Sequence, residues 1–122
     1  MGVIVHTVQI PVARKLGLTD DARFLDTTVK SGDETFAPTW KMVMSAKEGT
    51  LSEEAYSDQY YRRMRDSYRN NRSRWEEILR LDEVFLGCYC RAGSFCHRYL
   101  LRNMLVRLGA EAGEEVEEQK LL

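Results

Sequence analysis

The residues best equipped for chemistry sit together in one run, CYCRAGSFCHR, from Cys88 to Arg98: three thiols, one imidazole, two guanidinium groups and the hydroxyl of Ser94. Three kinds of chemistry are open to such a set. The first is metal binding. Structural zinc sites usually combine two-ligand pairs such as Cys-x2-Cys drawn from separate parts of a chain. This run reads Cys-x-Cys-x5-Cys-His and has no distant partner pair. Adjacent helical positions point about 100° apart, so a helical Cys96 and His97 would grip one ion poorly. On this reading the protein holds no metal and no other cofactor. The second chemistry is nucleophilic. Cys96 near Arg98 and Arg91 has the electropositive setting that favours thiolate, with Cys90 as a resolving thiol and His97 as an acid or base. The Cys-x5-Arg pattern of tyrosine phosphatases fails, because the residue six past Cys90 is Cys96. The third chemistry leaves the thiols of Cys90 and Cys96 as small buried groups. Arg91, Ser94, His97 and Arg98 then donate to a phosphate or carboxylate. Anion binding is the leading expectation.

The flanking sequence supplies the frame for such a site. Val84 to Cys90 is short, apolar and nearly free of charge, as a strand buried on both faces must be. Ser94 offers an N-cap for a following helix whose first turn would hold Phe95 to Arg98. Leu100, Leu101, Met104, Leu105 and Leu108 lay an apolar stripe along that helix. Its first backbone N–H groups lack intrahelical partners and stand at the positive end of the helix dipole. Upstream, Val3 to Gln9 and Phe24 to Val29 read as further strands. His6 lies within the first of these and is expected to be a satisfied core or edge histidine. Lys30 and Ser31 follow the second in a polar turn, at the strand end where open α/β sheets collect ligands. Pro38 opens a helix over Thr39 to Lys47 with Trp40, Val43 and Met44 as its buried side. Ser52 caps a longer helix carrying Tyr56, Tyr60, Met64 and Tyr68. Asn70-Asn71 interrupts that helix, and the pattern resumes from Arg74 to Leu81 through Trp75, Ile78 and Leu79.

With 122 residues and 43% hydrophobic content, the chain suits one α/β domain of ordinary core size. Residues 1–110 are assigned to that domain, and 111–122 to an acidic C-terminal tail that is either disordered or a short edge strand. Eighteen basic against nineteen acidic side chains give a net charge of −1, which argues against a global nucleic-acid or membrane field. The arginines between Arg62 and Arg80 suit a solvated helix face better than a phosphate-contacting one. Three cysteines, all within Cys88 to Cys96, point to a reducing, cytoplasmic setting without a disulfide framework. No apolar run approaches the ~20 residues of a membrane-spanning helix.

CYCRAGSFCHR resembles the signature of the domain of unknown function 488 family, which carries Cys-Tyr at the end of a strand and Cys-His-Arg at the start of the next helix. FLDTTVKSG and FAPTWKMV resemble the strand-turn and helix-opening segments of a small variant often seen in phage and bacterial genomes. The resemblance runs from about Ile4 to Gly109. It implies a small three-layer α/β domain with a short, mainly parallel sheet flanked by helices. The motif residues are Cys88, Tyr89, Cys96, His97 and Arg98, with Lys30 and Ser31 upstream, and the resemblance assigns none of them a catalytic role.

The expected function is binding of a phosphorylated small molecule, a nucleotide or nucleotide-derived signal, at the strand-loop-helix site. In a viral genome such a domain would sequester a host signal. The alternative is a thiol- or histidine-dependent enzyme acting on a nucleotide or nucleic-acid component through Cys96 or His97. A protein-interaction module using the Arg62 to Arg80 face is a third class. The expected partner is an anionic, nucleotide-like small molecule; nucleic acid is less favoured, and no membrane is involved.

Overall fold

β-branched residues dominate Ile4–Gln9, and this segment forms β1, an interior strand of a four-stranded sheet. A computed structural model describes residues 2–118 of the chain. After β1 come α1 (Ile10–Lys15), a 3-10 turn at Leu18–Asp20, β2 (Phe24–Asp26), α2 (Trp40–Lys47), α3 (Glu53–Asn70) and α4 (Arg72–Leu79). They are followed by β3 (Glu83–Cys88), α5 (His97–Arg107) and β4 (Glu111–Val116). The strand order is β2-β3-β1-β4 and every pairing is parallel, with Val5 opposite Val84 and Gln9 opposite Cys88. Parallel neighbours need crossover connections, and the helices between successive strands supply them.

Helices cover both faces, giving three layers. Val3, Val5, Val84 and Leu86 meet Tyr60 and Met64 of α3, Trp75 of α4 and Leu101 and Leu105 of α5 in the larger core. Val8 and Phe85 meet Ala13 and Val12 of α1 in a smaller one. Fully burying each such aliphatic or aromatic side chain is worth about 1.5–3 kcal/mol. His6 is satisfied at the sheet surface, as its sequence setting suggests: Nε2 lies 2.7 Å from Glu83 and the ring stacks on Phe85.

Several local expectations need correction. β2 ends at Asp26 rather than at Val29, because the Asp26 carboxylate captures the following chain. Its Oδ1 accepts from the Thr28 N–H and hydroxyl at 2.9 and 2.7 Å, and its Oδ2 from the Ser31 hydroxyl at 2.7 Å. The tight turn needs Gly32, where a Cβ would stand 2.5 Å from the Asp26 carbonyl oxygen. α2 begins at Trp40 rather than Thr39, and Thr39 is its N-cap, accepting from the Met42 N–H at 3.1 Å. Met42 is the residue α2 buries; of the stripe assigned to the core, Val43 is half-buried, whereas Trp40 and Met44 stay 54% and 46% exposed. Ser52 caps α3 by accepting from the Ala55 N–H, and Tyr56, Tyr60 and Met64 are buried along one side. The acidic segment after Ala110 takes the second of its two expected forms, the edge strand β4 paired to β1, so residues 111–116 belong to the sheet. Residues 119–122 of the expected tail lie outside the described residues. No described helix is long and apolar enough to cross a membrane.

The long connection between β2 and α2 is held down by side chains of α3 and α4. Tyr60 donates to the Phe36 carbonyl at 2.8 Å, Arg63 to that of Ala37 at 2.7 Å and Ser67 to that of Thr35 at 2.6 Å. Arg74 Nε donates to Asp33 Oδ2 at 2.8 Å. Burial raises the Asp33 pKa, but the bonds from Arg74 and Thr35 outweigh it and leave the carboxyl below its ordinary value. A carboxyl depressed in the folded state adds stability above its unfolded pKa of about 4 and loses it as pH falls through the folded value. Asp33→Asn is therefore expected to lower stability by about 0.5–1 kcal/mol at neutral pH, since the pair is partly exposed. Urea titrations at pH 7 and pH 3 check this: the wild-type advantage should shrink at the lower pH, and an equal advantage at both would refute the ion pair.

Candidate functional site

β3 is apolar because it is buried on both faces, and it delivers Cys88 to its carboxyl end. Tyr89 and Cys90 leave the sheet, and a loop turning through Gly93 at φ 81° returns the chain to α5. The expected cap is absent. Ser94 instead closes a turn within the loop, donating its hydroxyl to the Arg91 carbonyl at 2.7 Å. Cys96 is the N-cap of α5, extended at φ −159° and ψ 144°, and His97 and Arg98 are the first two helical residues rather than the third and fourth. Because Cys96 is extended, the helical 100° offset does not separate it from His97.

The three thiols and the imidazole converge. Cys88 Sγ lies 3.8 Å from Cys90 Sγ, and Cys96 Sγ lies 3.9 Å from His97 Nδ1. All three cysteines are unpaired thiols. His97 Nε2 stands 2.8 Å from the Thr27 carbonyl oxygen and 3.0 Å from the Thr27 hydroxyl, which itself donates to the Gly87 carbonyl. A carbonyl can only accept, so Nε2 carries the proton and Nδ1 presents its lone pair toward Cys96. Burial lowers the His97 pKa and keeps the ring neutral. Hydrogen bonds from Cys88 and then Cys96, with Arg98 nearby, pull the Cys90 thiol well down. Its bonds to Cys88 and Cys90, followed by burial, push Cys96 up.

Arg98 is fully buried behind this group. Its Nη1 donates to the Cys90 carbonyl at 3.0 Å and faces Cys96 Sγ at 3.4 Å; Nη2 donates to the Tyr99 hydroxyl at 2.9 Å and to Glu115 Oε2 at 3.1 Å. Burial opposes its charge, but Cys96 and Glu115 outweigh burial and keep it protonated. Tyr99 accepts from the Gly93 N–H at 2.9 Å and donates to Glu115 Oε1 at 3.0 Å, tying the loop to β4.

A crevice of about 410 Å³ opens beside the cluster, within the range of small-molecule sites. α2 contributes Val43, Ala46 and Lys47, the start of α3 contributes Ser52, Glu53 and Tyr56, and the loop contributes Cys90, Ser94 and Phe95, with Cys96 and His97 behind them. Phe95 meets the Tyr56 ring edge-on at 5.4 Å. Of the sequence candidates, Cys90, Ser94, Cys96 and His97 thus line one space. Arg98 lies beneath it, and Lys30, Ser31 and Arg91 are not in its lining. Ser31 instead serves the Asp26 turn, while Lys30 and Arg91 are exposed. A larger cleft of about 670 Å³ lies between α3 and the β2–α2 connection. Its Arg62 and Arg63 are accompanied by Glu34 and Asp66, and it contains no thiol or imidazole, so the chemistry belongs to the smaller crevice. Arg69, Arg72, Arg74 and Arg80 pair with acids of the helix they belong to or cap, as a solvated face does, and Arg74 also reaches Asp33 on the β2–α2 connection.

Sequence reasoning missed Thr27, Glu115 and Lys47. Thr27 sits inside the FLDTTVKSG segment, but nothing in its type marks it as the anchor of an imidazole seventy residues away. Glu115 is one of several acids in a polar stretch, and only the parallel pairing of β4 with β1 turns it inward.

The arrangement defines a small three-layer α/β domain with a parallel sheet and a cysteine–histidine cluster at the carboxyl end of an inner strand. The chain belongs to the DUF488 family: residues 11–109 match the family model DUF488-N3a, described as the active DUF488-N3 subclade. No curated protein and no solved structure matches the chain.

Proposed function

We propose that the protein is a cytoplasmic binder of a phosphorylated small molecule, a nucleotide or nucleotide-derived signal, held in the crevice at the carboxyl end of β3. The observation that carries this reading is the make-up of the crevice. Val43, Leu51, Tyr56 and Phe95 offer an apolar wall of the size a base or similar planar group requires. Lys47 offers a cation at the rim, and Cys96 and His97 bring the N-terminal, positive end of α5 to the same space. Trp40 and Met44 extend this face of α2 outward as exposed apolar surface. Glu53 also stands at the rim, which disfavours a ligand carrying charge alone and favours one with an apolar body. Arg98 has no surface left for a ligand; its role in this reading is to hold the loop.

Calorimetry against a panel of nucleoside mono-, di- and cyclic phosphates tests the reading. At least one member should bind, and Phe95→Ala and Lys47→Ala should each weaken it about tenfold, equivalent to ~1.4 kcal/mol. A panel without binding, or binding untouched by both substitutions, would reject it. Mass spectrometry of the bound ligand after incubation separates a binder from the rival enzyme: an unchanged mass supports binding, and a changed one makes the protein a catalyst.

A further inference from the structure

We propose that Cys88, Cys90, Cys96 and His97 form a four-ligand site for a thiophilic divalent cation, zinc in the cell. The proposal is independent of what occupies the crevice.

The donor set comes first. Thiolates and an imidazole nitrogen are the ligands that select zinc over magnesium or calcium, and Cys3His is a recurrent structural zinc set. The geometry then agrees with a tetrahedron. Zinc–sulfur bonds of about 2.3 Å place neighbouring sulfurs about 3.8 Å apart. Cys88 Sγ and Cys90 Sγ are 3.8 Å apart, and Cys96 Sγ and His97 Nδ1 are 3.9 Å apart. The ligand atoms of Cys88, Cys96 and His97 all lie within 4.8 Å of one another, and all three residues are buried. Cys90 lies outside that set of three but has its Sγ 3.8 Å from Cys88 Sγ, and, half-buried at the crevice, it is the ligand assigned to the fourth position.

The outer contacts support the same assignment. A metal-binding histidine donates its other ring N–H to a carbonyl or carboxylate, which fixes tautomer and orientation. His97 Nε2 does this to the Thr27 carbonyl at 2.8 Å and leaves Nδ1 facing the thiols. Arg98 Nη1, 3.4 Å from Cys96 Sγ, is placed to donate to a metal-bound thiolate and spread its charge. Its Nε is buried and has no partner among the described residues. On binding, the metal replaces the thiol protons, which pass to solvent. The sequence pattern concealed this site because the spacing is unusual and because Cys96 reads as helical. The extended backbone at Cys96 is what brings its sulfur beside the His97 ring.

The test uses the full chain, purified without chelator under reducing conditions. Zinc by elemental mass spectrometry should approach one ion per chain, and cobalt substitution should give the intense visible bands and sulfur-to-metal charge transfer of a tetrahedral thiolate-rich site. Cys90→Ser, at the least buried ligand, should keep the circular dichroism of the fold but weaken cobalt by more than the roughly hundredfold that losing an outer partner costs. Reduced wild-type protein that takes up no zinc on reconstitution would overturn the site. Wild-type cobalt spectra and affinity in Cys90→Ser would overturn the four-ligand assignment.

Discussion

Glu115→Ala is expected to destabilise the fold by about 3–5 kcal/mol, because it leaves a buried guanidinium without its counter-charge. Arg98 is entirely excluded from solvent and Glu115 is only 17% exposed. The Glu115 carboxylate also accepts from Thr7 and Tyr99, so its removal strands three donors, one on β1 and two on α5. Against a total stability of roughly 5–15 kcal/mol, such a loss leaves little reserve. Arg98→Met should cost less, since Glu115 keeps Thr7, Tyr99 and some contact with water. The double replacement Arg98→Met with Glu115→Leu should lose less than the sum of the two, because no unpaired charge then remains inside. Urea denaturation of the three variants checks the set. A Glu115→Ala loss under about 1 kcal/mol would mean that the pair behaves as a screened surface contact.

That pair also marks where the sequence stopped being readable. β3 announces itself because a strand buried between layers must be apolar, and Glu83–Cys88 largely is, while β1 is marked by the β-branched residues of Ile4–Gln9. The stripe on α3 is legible for a similar reason: Tyr56, Tyr60 and Met64 recur at helical spacing and are buried. β4 has no such signature. As an edge strand of EAGEEV it is held by backbone pairing to β1, by the inward Glu115 carboxylate and by the single apolar contact of Val116, which together leave no apolar pattern. The start of α5 was misplaced because Ser94 has the better capping propensity, whereas the tertiary structure spends that hydroxyl on Arg91 and uses an uncapped Cys96. On α2, hydrophobicity alone does not distinguish a face turned to the core from one bordering a crevice. Val43 lines the crevice, and Trp40 and Met44, at helical spacing from it, are exposed. The thiol and imidazole positions were visible as a group; their mutual distances depend on a backbone conformation at one residue that spacing does not encode.

Trp75→Ala is expected to cost about 3–5 kcal/mol and to loosen the connection that leads away from the site. Trp75 is fully buried, packs edge-on against Phe36 at 4.9 Å and Tyr68 at 5.6 Å, and donates Nε1–H to Ser67 Oγ at 3.1 Å. Ser67 in turn donates to the Thr35 carbonyl, so one indole supports both the ring and the backbone clip of the same segment. Removing it leaves a cavity and frees the Ser67 hydroxyl to lose its hold on Thr35. Thr27, whose carbonyl anchors His97, begins that same connection, but its own N–H donates to the Gly87 carbonyl at 3.0 Å and ties it to the sheet. The disturbance should therefore be graded: amide exchange should accelerate most from Thr35 to Ala37 and least at Thr27, with a lower urea midpoint and an unchanged slope. Uniform acceleration across the chain would show that Trp75 supports only global stability, and protection lost at Thr27 as fully as at Phe36 would show that the sheet does not insulate the His97 anchor from the helical layer.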